Sequence, residues 1–328
     1  MTSPRPSQFL QRANAPIDPA SLIAFRILFG VVMVFSAIRF VVNDWVTIFF
    51  AKPGFHFAFY GFEWVRPLSP ALMTVGVVTL GVLAALIALG VAYRFAIVAF
   101  AVLFTWIELT DVTNYLNHYY LVSLLAFLMC FLPLGRKATG HRAWMVWLLR
   151  FQVGLVYVFA AVAKCNADWL LEGQPLGIWL AARTDTPILG WLVGQPHAAL
   201  VCAWCGFLYD VLIVPALLWR RTRVAAFGVL VVFHITTRLL FDIGMFPLIM
   251  TAAATLFFAP DWPRRWLRLP VAAPGSGGKL PRLGAIAIAA WMTLHLALPA
   301  RSLLYEGPVN WHEQGMRFAW KVMVREKS

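Results

Sequence analysis

Apolar residues in this chain neither alternate along a strand nor recur on one helical face. They come in runs of about twenty, separated by short polar knots. Nine runs stand out, at 20–41, 71–92, 95–110, 119–135, 143–165, 198–219, 224–240, 244–259 and 283–303. A helical run of about twenty residues spans the roughly 30 Å hydrocarbon layer of a bilayer, and the shorter ones reach across when tucked against neighbours. The pattern predicts an all-α, polytopic membrane helix bundle of nine transmembrane helices. Two helical pairs, 95–135 and 224–259, are each broken by a polar knot, "TDVTNYLNHYY" at 110–120 and "HITTRLLFDIG" at 234–244. Near the end of the chain, the large apolar residues Phe318, Trp320, Val322 and Val324 recur at every second position, which predicts a single β-like strand in a short extramembrane tail.

Composition sharpens this picture. Of the 328 residues 61% are hydrophobic and 12% charged, whereas a soluble domain is about half apolar and about a quarter charged. The net charge of +13 does not point to nucleic acid, because the basic residues sit in short clusters between apolar runs. Fourteen lysines and arginines, from Arg5 to Arg282, fall in the amino-terminal segment and the even-numbered loops. The opposite loops carry only Lys52, Arg66 and Arg183. The positive-inside rule therefore sets the amino terminus in the cytoplasm and the carboxyl terminus outside. The expected organisation is a cytoplasmic segment at 1–19, a transmembrane domain at 20–303 and an extramembrane tail at 304–328. Residues 1–18 are polar and contain proline, unlike a cleavable signal peptide. Cys202 and Cys205 form a C-x-x-C, but inside an apolar helix the cysteines read as small buried residues rather than a redox pair or metal ligands. The aromatic stretch 55–68 reads as an interfacial lid on the outer side, and the Gly/Ser-containing stretch within 261–282 as a cytoplasmic connector.

The polar residues left inside the runs carry the chemistry. Arg26, Arg150 and Asp210 fall in an inner layer where they can neutralise one another. Glu108, Asp111, Asn117, His118, Lys164, Asp168, His234, Arg238 and Asp242 fall in an outer layer. Arg150, Tyr157 and Lys164 are seven apart and share a helix face, as do His234 and Arg238, four apart. A lysine costs about 2.5–3.5 kcal/mol at the centre of a span and less near an end. Lys164 has no acid at i±3, and Asp168 at i+4 lies at the helix end. Without that pair, desolvation favours the neutral amine, a usable general base. The histidines at 56, 141, 197 and 295 read as interfacial or structural.

These residues stand in recognisable company. The stretches "DPASLIAFRILFG" (18–30), "DVTNYLNHYYLVSLLAF" (111–127), "LLRFQVGLVYVFAAVAKCNADW" (148–169), "AWCGFLYD" (203–210), "FHITTRLLFDIGMF" (233–246) and "PDWPRR" (260–265) follow in order. In them the chain resembles the vitamin K-dependent γ-glutamyl carboxylase family, whose membrane part is also described as the horizontally transferred transmembrane domain. The resemblance implies oxygenation of a vitamin K hydroquinone with O2 to the epoxide. The strong base released would take a γ-proton from a glutamate, and CO2 would then be captured. It implies that Lys164, in a "K-x-[ND]-A-D-W" setting, deprotonates the hydroquinone, and that Asn117 and His118 line the site. With the spacing argument, Lys164 and His118 are the candidate catalytic residues. Asn117, Tyr157, His234 and Arg238 are the candidate binding residues. The implied co-substrates are vitamin K hydroquinone or menaquinol, O2 and CO2, with no metal. The expected partners are membrane lipid and a peptide or protein glutamate arriving from the outer side, with no nucleic acid. The expected location is a bacterial inner membrane, with the active site toward the periplasmic half. The resemblance to the family's large extramembrane part is confined to the last residues, "YEGPVNWHEQGMRFAWKVMV". Two other readings therefore stay open: a quinol epoxidase without carboxylation, and a non-catalytic quinone- or lipid-binding protein aiding maturation of a secreted peptide.

Overall fold

The computed structural model describes residues 8–270, 280–306, 309 and 313–321. The chain is all-helical, with no strand among the described residues. Its principal helices are α1 (Ala20–Val42), α2 (Pro70–Leu89), α3 (Tyr93–Glu108), α4 (Asn117–Cys130), α5 (Ala143–Lys164), α6 (Ala198–Leu218), α7 (Arg223–Leu240), α8 (Phe246–Ala254) and α9 (Arg282–Ala300). Each lies on one of the nine apolar runs. Six are long and apolar enough to cross a membrane: α1, α2, α5, α6, α7 and α9 with its continuation to Leu304. This is the pattern of an integral multi-pass membrane protein. The other three have 16, 14 and 9 residues, so among the described residues six of the nine expected spans are full-length helices. Helix α4 starts at Asn117, inside the polar knot, whose earlier part folds into a separate turn with the Asp111 carboxylate accepting from the Thr113 backbone and hydroxyl.

The described chain divides into two compact units, 1–150 with 258–286 and 151–257 with 287–328. In the first, α1, α2, α3 and α4 pack in succession. Gly30 lets α1 and α2 approach closely, since a Cβ there would lie 2.6 Å from the Ala84 carbonyl oxygen. A line of rings, Phe29–Phe100–Phe104–Tyr119, runs from α1 through α3 to the start of α4, with centroids 5.5–5.9 Å apart. Arg26 is buried and donates to the Leu134 and Ala88 carbonyls at 2.6 and 3.0 Å, satisfying backbone oxygens where α2 ends and beyond α4. Gly90, with φ +67°, follows α2; a Cβ there would fall on the Arg26 guanidinium. Arg150 likewise donates to the Phe258 carbonyl. For Arg26, backbone oxygens thus take the role expected of Asp210.

Two loops of this unit are pinned by histidines. His56 meets Asp111 at 3.0 Å and the Phe50 carbonyl at 3.3 Å, which holds a loop that exposes Phe55, Tyr60 and Trp64. His141 donates from Nε2 to the Pro133 carbonyl at 2.7 Å, and its own carbonyl accepts from Ile17. Burial pushes the His141 imidazole below the usual histidine range, against the opposing pull of the Pro133 carbonyl and Asp18. The neutral ring is therefore favoured in the fold. Its contribution is complete above the unfolded value of about 6.5 and is lost as pH falls through the folded one. Thermal midpoints measured in detergent should fall between pH 7.5 and 5. His141→Gln should flatten that slope, and an unchanged slope would remove His141 from the account.

In the second unit α6 packs against α7, and α7 against α8. The short helices Ala167–Leu170, Leu176–Ala181 and Gly190–Val193 lie on α6, around a small core of Trp169, Leu176, Leu180, Val193, Ala203 and Leu240. The tail does not form the expected strand. Residues 314–320 turn, because Phe318 and Trp320 take φ of 63° and 58°, and Met316, Ala319 and Trp320 are buried instead. Val322 and Val324 lie outside the described residues, as does the Gly/Ser stretch 271–279. The cysteines are free, and Cys165 and Cys205 are exposed rather than buried.

Candidate functional site

Helix α5 ends at Lys164 because Asn166 caps the next turn: its side-chain oxygen accepts from the Trp169 amide at 3.0 Å. That turn brings the Trp169 indole back over the lysine. The Lys164 Nζ lies 5.4 Å from the ring centroid, and the indole N–H is fixed to the Ala203 carbonyl of α6 at 3.0 Å.

The lysine is paired after all. Its Nζ donates to Asp210 Oδ2 at 2.5 Å, with the two side chains 12% and 6% exposed. Asp168, the acid closer in sequence, is exposed and points its carbonyl at Gln174. The expectation of a lysine without an acid is thereby corrected. Counting residues from the ends of α6 had set Asp210 in an inner layer, but its partner is the last residue of α5.

One residue before Asp210, Tyr209 begins a box of rings. It stacks on Phe233 with centroids 3.8 Å apart and planes 13° apart, and meets Tyr157 of α5 edge-on at 5.9 Å. His234 sits among Tyr209, Phe233 and Phe246 at 6.3, 5.7 and 5.5 Å. It is 2% exposed, and neither ring nitrogen has a hydrogen-bond partner among the described residues. A buried polar group in that condition costs about 1–3 kcal/mol. The expected residues Tyr157 and His234 thus come together through Tyr209, while Lys164 joins them through Asp210. Tyr209, Phe233, Phe246 and Trp169 were not anticipated. The available signal was Tyr209 beside an aspartate in an apolar run, an expensive pair of polar residues.

The remaining expected residues stand elsewhere. Arg238 is half exposed and pairs with Asp242 at 3.6 Å, and Asp242 also takes Arg183 at 3.0 Å. With the Asp242 side chain 80% exposed, this network is screened. Asp242→Asn should shift unfolding free energy by less than about 1 kcal/mol, and a larger loss in a denaturation series would show the network to be structural. In the other unit, Asn117 accepts from the Tyr115 hydroxyl at 2.9 Å at the start of α4. His118 beside it is buried, its ring 4.5 Å from that of Tyr119, which lines a small cavity with Ser36 and Glu108.

Chemically, the second unit presents flat aromatic faces, an imidazole able to give or take one hydrogen bond, and an amine–carboxylate pair, all among apolar helices. That combination suits a flat, apolar ligand with ionisable hydroxyls. Comparison with known families finds the HTTM domain over residues 14–262, and the lumenal domain of vitamin K-dependent gamma-carboxylase over residues 281–328. No solved structure matches the chain.

Proposed function

Because the chain belongs to the vitamin K-dependent gamma-carboxylase family of HTTM-domain proteins, we propose that it is a quinol-dependent membrane carboxylase. It oxygenates a vitamin K-type hydroquinone or menaquinol with O2 to the epoxide and carboxylates a glutamate of a peptide or protein with CO2. The observation that carries this reading is the buried Lys164–Asp210 pair, with Tyr209 of the ring box next to it in the chain. The amino terminus lies in the cytoplasm, and the glutamate arrives from the outer side, where the positive-inside count sets the end of α5.

The residues fit such a ligand. Tyr209, Phe233 and Phe246 offer faces and edges for a naphthalene-type ring, and the nitrogens of His234, without a partner among the described residues, offer one hydrogen bond to a ring hydroxyl. When bound, the quinol supplies the oxygen chemistry and the strong base that acts on glutamate. The chain's own part is narrower. Lys164 takes the proton of a ring hydroxyl, whose ordinary value, near that of tyrosine at about 10, calls for a base at close range. The apolar helices keep bulk water from quenching a strong base. Asn117 and His118 are assigned to the same reaction by the family resemblance.

The test is direct. Purified protein in lipid nanodiscs, given reduced vitamin K or menaquinol under air, should form the epoxide, and labelled CO2 should enter a glutamate-containing peptide. Epoxide without label would leave a quinol epoxidase. No epoxide from folded protein would sink the proposal and favour a quinone-binding role.

A further inference from the structure

Resting on that reading of the site, we infer that Asp210 is a positioning residue that governs the base: it holds Lys164 as an ammonium at rest, and the pair must neutralise before Lys164 can accept a proton. Two partners from different elements converge on the same Nζ. Asp210 of α6 lies 2.5 Å away, and the Trp169 ring lies with its centroid at 5.4 Å. The face of an indole attracts a cation and offers a neutral amine far less, so this seating suits the ammonium. The seat is rigid, because Trp169 is tied at both its nitrogens, to Asn166 and to Ala203. An ammonium in this position has no lone pair, and a base in waiting would need one.

The groups around the pair limit where its proton can go. The ring contacts bring three titratable side chains of the packed helices near Asp210: Tyr157 on α5, Tyr209 on α6 and His234 on α7. Asp168, on the turn that carries Trp169, is exposed, as is Cys205 of α6, while Cys202 is half-buried. Among the described residues, Asp210 makes the hydrogen bond to Nζ. The N–H bond directed at Oδ2 breaks and an O–H bond forms there, leaving a neutral amine beside a neutral carboxyl. A low-dielectric setting tolerates that exchange, because separate charges are expensive to bury. The amine then takes the quinol's proton, leaving a quinolate and an ammonium with one proton stored on Asp210. No atom or electron is gained or lost. Binding of a ligand that shields the pair from water favours the neutral form, so substrate arrival arms the base.

The test does not depend on quinol turnover. Competitive acetylation with trace acetic anhydride across a pH series, read by mass spectrometry, compares Lys164 with exposed Lys52 in the same molecule. In the wild type Lys164 should label more slowly than Lys52 at neutral pH. In Asp210→Asn, which removes the charge at constant shape, Lys164 should label about tenfold faster at neutral pH, with its labelling curve displaced toward lower pH. The acid limb of the epoxidation profile should move the same way, and Asp210→Glu should return both toward wild type. An unchanged Lys164 labelling rate in Asp210→Asn would overturn the inference. So would wild-type Lys164 labelling at neutral pH as fast as Lys52, even if the variant fails to fold. A labelling shift without epoxide from any form supports the pair's control of Lys164 and sinks the quinol reaction instead.

Discussion

Lys164→Ala lowers epoxide formation by about 10²–10⁴-fold, the usual worth of a positioned general base. The bare substitution is ambiguous, however, because it strands the Asp210 carboxylate at 6% exposure. Breaking a buried pair from one side costs about 3–5 kcal/mol, enough to unfold a marginal protein and imitate a catalytic defect. The double variant Lys164→Ala with Asp210→Asn removes both charges. It should recover most of the thermal midpoint lost by the single variant while staying as inactive. Recovery of stability with loss of turnover assigns the lysine to chemistry. A well-folded double variant that forms epoxide within a few-fold of wild type would show that another group takes the quinol proton.

The pair also marks where sequence reading stops. Lys164 was legible because a cation in an apolar run is costly whatever surrounds it, and Tyr157 followed from seven-residue spacing on one helix. Asp210 as its partner was not legible. It lies 46 residues away on another helix, and relative depth depends on how α5 and α6 are tilted and shifted, which hydropathy does not record. The same limit applies to the inner arginines. Acids were expected to neutralise them, whereas Arg26 takes carbonyls exposed where helices end, acceptors carried by the backbone of every sequence. The helix positions were legible to within a few residues, since run length is a direct physical requirement of a bilayer. The tail was misread because alternation over four residues is weak evidence, and positive φ at Phe318 and Trp320 turns the chain.

His234→Leu should raise the stability of the protein while lowering quinol turnover by about 10²-fold, a combination that a structural residue would not produce. The imidazole is 2% exposed, with Tyr209, Phe233 and Phe246 around it and no partner for either nitrogen among the described residues. Leucine has a similar volume and no polar atoms, so its gain is bounded by the burial penalty of about 1–3 kcal/mol, less whatever poorer packing takes back. The loss of turnover has a different origin. A hydroxyl of the bound quinol that hydrogen-bonds to the imidazole in the apolar box is left unsatisfied against leucine, and a site built around such a bond rejects the mismatch strongly. Thermal unfolding in detergent supplies one axis and epoxide formation against quinol concentration the other. A less stable and less active variant would return His234 to the core. One with full turnover would move the quinol out of the box formed by Tyr209, Phe233 and Phe246.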